Sequence, residues 1–463
     1  MDFGVGGYGA DATVQGSRGG GAIKLVASNK FEVYGDILAN GEYLRDVGAG
    51  SGGSIWIEAK ELIGSSSTLI EASGGRGYYA GTGGGGRIAI YYDSLTGFNP
   101  VDRIFARAGY NYSNATAYGG PGTVYLYDRS LPSNNAKLQI ANRGTSTDYA
   151  PYRLGGQVDI PIYFADLRVV IDKNVNLAVP LTFKSTVVTV EEDVDISVPV
   201  TFSYSEVTLK EGVYLGAEIS GNGYGSVYVK AEGDFTVANN NLVVDGYTLE
   251  LPQDYNFDSI TIKNYGKITT PAASDNFTSG ITLSATDFYI SSNSYINVSG
   301  KGRLPGEGEH WKSGGSYGGP GGADPTTGTV ASTFGSIEAP MDFGVGGYGA
   351  DATVQGSRGG GAIKLVASNK FEVYGDILAN GEYLRDVGAG SGGSIWIEAK
   401  ELIGSSSTLI EASGGRGYYA GTGGGGRIAI YYDSLTGFNP VDRIFARAGY
   451  NYSNATAYGG PGT

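Results

Sequence analysis

The sequence predicts an all-β protein: a parallel β-helix built from tandem 340-residue units, with long glycine-rich loops. Three observations predict it. Residues 341–463 repeat residues 1–123 without one substitution, from MDFGVGGYGADATVQGSRGGGAIKL to NATAYGGPGT. Within the unit, short strands of period-two alternation recur about every 33 residues, and in its middle three segments align at a strict spacing of 19. Such repetition marks a supersecondary unit that buries its apolar face only when neighbours stack on it.

The first block, residues 1–144, is read as coils of about 33 residues. AIKLVA, SIWIEA, RIAIYY and TVYLYD place their first inward residues at Ile23, Ile55, Ile88 and Val124, spaced by 32, 33 and 36. The alternation of Ile23 and Leu25 with Lys24 is that of a strand with one buried face. A second strand series, DILANG, LIEASG, IFARAG and LQIANRG, closes on Gly41, Gly74, Gly109 and Gly144. The second block, residues 145–280, contains VVIDKNVNLAVPLTF, VTVEEDVDISVPVTF and VTLKEGVYLGAEIS. Here Ile171, Val190 and Leu209 superpose, then Val175, Val194 and Val213, then Leu181, Val200 and Ile219. Three short strands per 19 residues suit a triangular coil. An antiparallel sandwich also spaces strands by about 8–12 residues, but without a register of 19. The crossover rule gives such a coil a right hand.

The third block, residues 281–340, is read as a final coil plus a glycine-rich connector. ITLSATDFYISSNSYINVSGKG, at 281–302, is similar to AIKLVASNKFEVYGDILANGEY of the first block. From Lys301 to Gly360 no clear strand is legible, so this stretch is expected to run along the outside or to reach a neighbour. The last block, 341–463, is the second copy of 1–123. Met1 thus reads as an ordinary residue of the repeat, and the chain as one unit plus about a third of the next. The sequence leaves open whether further units lie beyond either end. At about 4.8 Å per coil and about 12 to 14 coils, a unit would advance roughly 60 Å.

Composition agrees. Glycine is 80 of 463 residues, yet 41% of residues are hydrophobic and 35 are tyrosine, so the chain can bury a core. There is no Gly-X-Y period, and no cysteine to form disulfides or thiolate sites. A net charge of −14 argues against a nucleic-acid partner. No run of 18 apolar residues predicts a membrane span, and no signal-peptide pattern is present.

No catalytic, cofactor or metal site emerges. GGGGRI lacks the Lys-Ser/Thr of a phosphate loop and GVGGYG precedes no helix, so these glycines are read as tight corners and close backbone approaches. Gly6-Gly7-Tyr8-Gly9-Ala10-Asp11 begins the calcium nonapeptide, but Thr13 stands where an apolar residue belongs. Glu191, Glu192, Asp193 and Asp195 carry oxygen ligands, and a solvated corner explains them as well. The one histidine, His310, has no cysteine partner, and no motif supports a serine triad around it. Tyr78, Tyr79, Tyr91, Tyr92, Tyr110 and Tyr112 either shield strand edges or offer stacking faces to sugars or fibres. Asn111, Asn114, Asn276 and Asn297 begin N-x-S/T sequons.

SGGSIWIEAKELIGSSSTLIEASGGRG followed by GTGGGGRIAIYYDS resembles the giant repetitive β-helix surface proteins of bacteria related to filamentous adhesins. The matching positions are Gly52–Ile57, Ile70–Gly75 and Gly83–Tyr92, with GGGAIKL at 19–25; GGSYGGPGG and FGSIEAP resemble the linkers between such blocks. The resemblance covers about half the unit. It implies export, a cell-surface or extracellular location, a structural or adhesive role and no catalytic residues. The expected function is therefore a structural fibre of end-to-end units whose partner is itself. The alternatives are a carbohydrate-binding adhesin with surface glycans as partners, or a β-helix polysaccharide lyase or hydrolase.

Overall fold

A computed structural model describes residues 1–9, 13–110, 119–130, 136–141, 152–158, 160–222, 226–305, 312–323, 328, 330–349, 354–450 and 457–463. The chain is all-β: 41% strand against 2% helix. The two α-helices, Pro100–Arg103 and Pro440–Arg443, are single turns. Their signal is the NPVDR motif, in which Asn439 Oδ1 caps the Val441 amide and proline supplies its preset φ at the first turn. Backbone contacts divide the chain into two compact halves, Met1–Asn222 and Gly223–Thr463.

In the N-terminal half, Ala22–Val26, Ser54–Glu58, Arg87–Tyr92 and Thr123–Asp128 form a parallel sheet. Its register is Ile23–Ile55–Ile88–Val124, the series the 33-residue spacing predicts. Lys30–Glu32, Glu61–Ile63 and Ser94–Thr96 form a second short sheet, and Asp36–Leu38, Leu69–Glu71 and Ile104–Phe105 a third, all parallel. The core between them holds Ile55, Ile57, Leu62, Ile70, Ile88, Ile90 and Ile104.

Farther along, Ile162–Ala165, Leu181–Lys184, Val200–Ser203 and Ile219–Gly221 pair in parallel, as do Tyr152–Val158, Arg168–Leu177, Val187–Val190 and Glu206–Leu209. The 19-residue spacing is realised residue for residue in Ile171–Val190–Leu209 and Leu181–Val200–Ile219. Where Val194 and Val213 align, the Tyr214 amide donates to Val194 O at 2.9 Å. Phe164, Phe183 and Phe202 stack within this core with centroids 4.9 and 5.1 Å apart.

One expectation fails. LQIANRG does not extend the series of IFARAG. Ala136–Ala141 turns back and pairs antiparallel with Thr123–Asp128, Val124 facing Gln139 and Leu126 facing Lys137. Paired residues share a face of the sheet, so Ile140, which pairs with Phe164, lies on the face opposite Val124. The apolar face thus changes side of the sheet at this strand. Period-two alternation carries no information about strand direction, so the reversal is invisible to it. Gln139 ends up buried beneath the first core, its amide donating to Ile104 O at 3.4 Å. Gly144 lies outside the described residues.

In the C-terminal half, Asn241–Asp245, Ser259–Lys263, Ile281–Ile290, Ala362–Val373, Ser394–Ile403 and Arg427–Thr436 make one parallel sheet. Tyr228–Ala231, Thr248–Glu250, Lys267–Thr269, Tyr295–Asn297, Asp376–Leu378, Leu409–Glu411 and Ile444–Phe445 make another. The similarity of 281–302 to the first block becomes direct stacking on the second copy. Ile281 pairs with Ile363, Leu283 with Leu365, Phe288 with Phe371 and Ile296 with Ile377. Among the described residues no helix is long and apolar enough to cross a membrane.

Candidate functional site

The glycine runs form no sheet. In the N-terminal half the extended segment 48–53 bonds to neighbours on every side. Gly48 N donates to Tyr8 O (2.9 Å), Gly53 N to Ala39 O (2.8 Å) and Gly52 N to Gly84 O (2.9 Å). It accepts at Ser51 O from Gly20 N (2.8 Å) and at Gly50 O from Gly75 N (2.8 Å). A sheet strand has two hydrogen-bonded neighbours; this segment has more, so the region is a bundle of extended backbones. Only glycine permits the spacing: a Cβ on Gly50 would strike Arg18 O, and one on Gly53 would strike Gly21 O. The close backbone approaches expected of these glycines are therefore present, but between segments of the bundle rather than only at corners.

The same 123 residues occupy two environments, and the comparison defines the site. In the first copy Ile23 is 40% and Leu38 54% exposed, along the open edge formed by Ala22–Val26 and Asp36–Leu38. In the second copy Ile363, Leu365, Phe371 and Ile377 are fully buried under Ile281–Ile290 and Tyr295–Asn297. The Tyr374 amide there donates to Ile290 O (2.8 Å), Asp376 N to Ser294 O (3.2 Å) and Gly361 N to Val298 O (2.7 Å). Gly35 faces open space, whereas a Cβ on its counterpart Gly375 would collide with Ser294 O. Gly35 is thus a glycine whose need for close approach shows only when a strand lies on it.

Asp376 shows what that covering does to a charge. Burial first, and nearby Glu411 second, hold its carboxyl above the ordinary carboxylate range. A raised folded-state value penalises the fold above that value, and the penalty disappears as pH falls below the unfolded value of about 3.9. Asp376→Asn is therefore expected to raise the melting temperature at pH 7, and to leave it unchanged near pH 3. Melting curves of the two chains at both pH values check this; an unchanged or lowered value at pH 7 would count against it.

The connector is expected to run along the outside or to reach a neighbour; residues 330–339 are exposed, whereas residues 313–317 are buried. Its described parts contain no strand, yet Tyr317 is fully buried. The Tyr317 hydroxyl and Ser394 Oγ are 2.7 Å apart, and its ring packs on Phe334 at 5.1 Å and on the Arg427 guanidinium at 5.6 Å. Burial pushes the Tyr317 hydroxyl up to about 12, against the opposing pull of the Ser394 hydrogen bond and Arg427.

The other sequence candidates scatter. Glu191, Glu192, Asp193 and Asp195 sit at a corner: Glu192 pairs with Lys173 at 3.0 Å and Asp195 accepts from Ser197. Among the described residues no group of three or more acidic or histidine side chains is placed to hold a metal. Gly7 belongs to the glycine bundle; Asp11 lies outside the described residues, as do His310, Tyr112, Asn111 and Asn114. Asn276 is exposed, and Asn297 lies in a strand with Oδ1 accepting from the Ser299 amide at 2.9 Å. Tyr78 and Tyr79 meet edge to face at 4.5 Å beneath Arg45, while Tyr91 stacks on Trp56 at 4.7 Å and neighbours Tyr125 and Tyr127. Tyr92 is half-buried and Tyr110 exposed.

No known protein family, curated protein or solved structure matches the chain.

Proposed function

We propose that the chain is a structural component of an extracellular or cell-surface fibre of bacterial type. In this reading it is a parallel β-helix whose 340-residue units stack end to end, with itself as partner and no enzymatic role. One observation carries the proposal: the open edge of the first copy has the sequence that Ile281–Asn297 covers, in register, in the second. Any segment like 281–297 of a preceding unit would bury Ile23 and Ile37 and occupy the space above Gly35. Continuation also removes an exposed apolar strand edge, which otherwise invites unspecific pairing. The resemblance of the glycine-rich motifs to bacterial surface proteins supports the location.

Electron micrographs of the native assembly are expected to show rods of uniform width with an axial repeat near 60 Å per unit, about 4.8 Å for each stacked strand. Compact two-lobed particles would overturn the proposal. The carbohydrate-binding adhesin is favoured by one feature, the half-buried aromatic strip of Trp56, Tyr91, Tyr125 and Tyr127 on the outer face. Saturable binding on a glycan array would decide for it.

A further inference from the structure

We propose that the connector is the lock between successive units, with Tyr317 as its anchor, and that the first copy presents a matching socket at Ser54, Gly84, Arg87 and Gly120. The occupant would be residues 312–340 of a preceding unit of the same sequence. This rests on the fibre reading above and names the element that sets its register.

The socket is seen filled in the second copy. Gly319 N donates to Gly425 O (2.8 Å), Gly460 N to Pro320 O (2.7 Å), Gly424 N to Gly315 O (3.0 Å) and Gly421 N to Lys312 O (2.7 Å). The connector thereby becomes one more extended segment of the glycine bundle. Tyr317 is the large side chain inserted there, its ring under Arg427 and its hydroxyl on Ser394. Arg427 is only 6% exposed, and its Nε and Nη2 donate to Phe334 O at 3.1 and 2.9 Å. Ser394 Oγ already donates to Asp342 O at 2.6 Å, so it accepts from Tyr317.

The first copy holds Arg87 and Gly120 exposed and Gly84 half-exposed, with Ser54 beneath them at 8% exposure. Ser54 Oγ donates to Asp2 O at 2.6 Å, leaving an acceptor lone pair where a tyrosine hydroxyl would arrive. The Arg87 side chain is 79% exposed and, among the described residues, meets only the exposed Asp2 carboxylate, at 4.0 Å. Gly120 faces open space, and a Cβ on Gly84 would come no nearer than 3.6 Å to anything, at Gly120 O. Their counterparts are closed: a Cβ on Gly460 would lie 2.8 Å from Pro320, and one on Gly424 would collide with Gly319 O. A row of glycines and a buried-type arginine without the tyrosine they surround elsewhere is a specific vacancy, and the chain itself encodes what fills it.

The test extends the full chain by placing a second copy of residues 281–340 ahead of Met1, the junction that Pro340–Met341 already makes. Peptides from residues 1–123 and 341–463 are identical in mass, so hydrogen exchange of the unextended chain should give two deuterium envelopes per peptide. In the extended chain both AIKLVASNKFEV, which reads strand stacking, and GTGGGG, which reads the socket apart from the strand that follows it, are expected to collapse to one protected envelope. Tyr317→Ala in the added segment alone should split GTGGGG again, with protection lowered about 30-fold, as for a buried aromatic anchor. AIKLVASNKFEV should stay single, showing that the added segment still folds. If AIKLVASNKFEV merges but GTGGGG does not, or merges regardless of Tyr317, the lock is wrong and the fibre stands. If neither merges, end-to-end stacking fails as well.

Discussion

Gly375→Ala is expected to lower stability by about 2–4 kcal/mol, whereas Gly35→Ala, the same substitution in the same local sequence, shifts it by less than about 0.5 kcal/mol. At Gly375 the new methyl collides with Ser294 O, a backbone atom that cannot swing aside, and disturbs the Asp376 N–Ser294 O hydrogen bond. At Gly35 nothing lies within 4 Å. Urea denaturation of the two variants followed by tyrosine fluorescence measures the difference. Equal effects would mean that Ile281–Asn297 does not cover the second copy as described, and would remove the main support for end-to-end stacking. If both substitutions are then made in the chain extended by 281–340, Gly35→Ala should become as costly as Gly375→Ala.

The second large effect lies in the phenylalanine ladder. Phe183 is fully buried, stacked between Phe164 and Phe202. Phe183→Ala is expected to cost about 3–5 kcal/mol, through lost apolar contact and the cavity left behind. Contacts in a stacked repeat are mainly with the next layer, so the loss should concentrate locally. Hydrogen exchange would report it first in 162–165 and 200–203. Phe183→Leu, which retains most of the volume, is expected to cost less than about 1.5 kcal/mol. A loss below about 1 kcal/mol for the alanine variant would show that the ladder is not a core.

The stacking of both blocks is legible in the spacing of the sequence. Val190 pairs with Ile171 and Leu209 because residues of one type at one spacing land on one another when strands pile up in parallel. The ladder from Ile23 to Val124 follows from the same rule, despite loops of varying length. Ile281 on Ile363 and Ile296 on Ile377 follow from the likeness of two stretches of sequence. The candidate site was legible only in part. Glycine content announced close backbone approach, but a glycine that faces space and one that touches a carbonyl are written identically, as Gly35 and Gly375 show. Nothing in the sequence sets Tyr317 apart from the rest of its glycine-rich stretch, because glycine neighbours carry no periodicity to mark a buried position.

By itself, then, the sequence determined the strand periods, the parallel register within each block and the recurrence of 123 residues, since these rest on spacing along the chain and alternation across a strand. The tertiary structure alone decided the reversal at Ala136–Ala141, the packing of glycine segments into a many-sided bundle and the burial of Tyr317. Each of those depends on which backbone lies beside which. Every residue but proline offers the same main-chain donor and acceptor, so the order of side chains along the chain does not show which backbones pair.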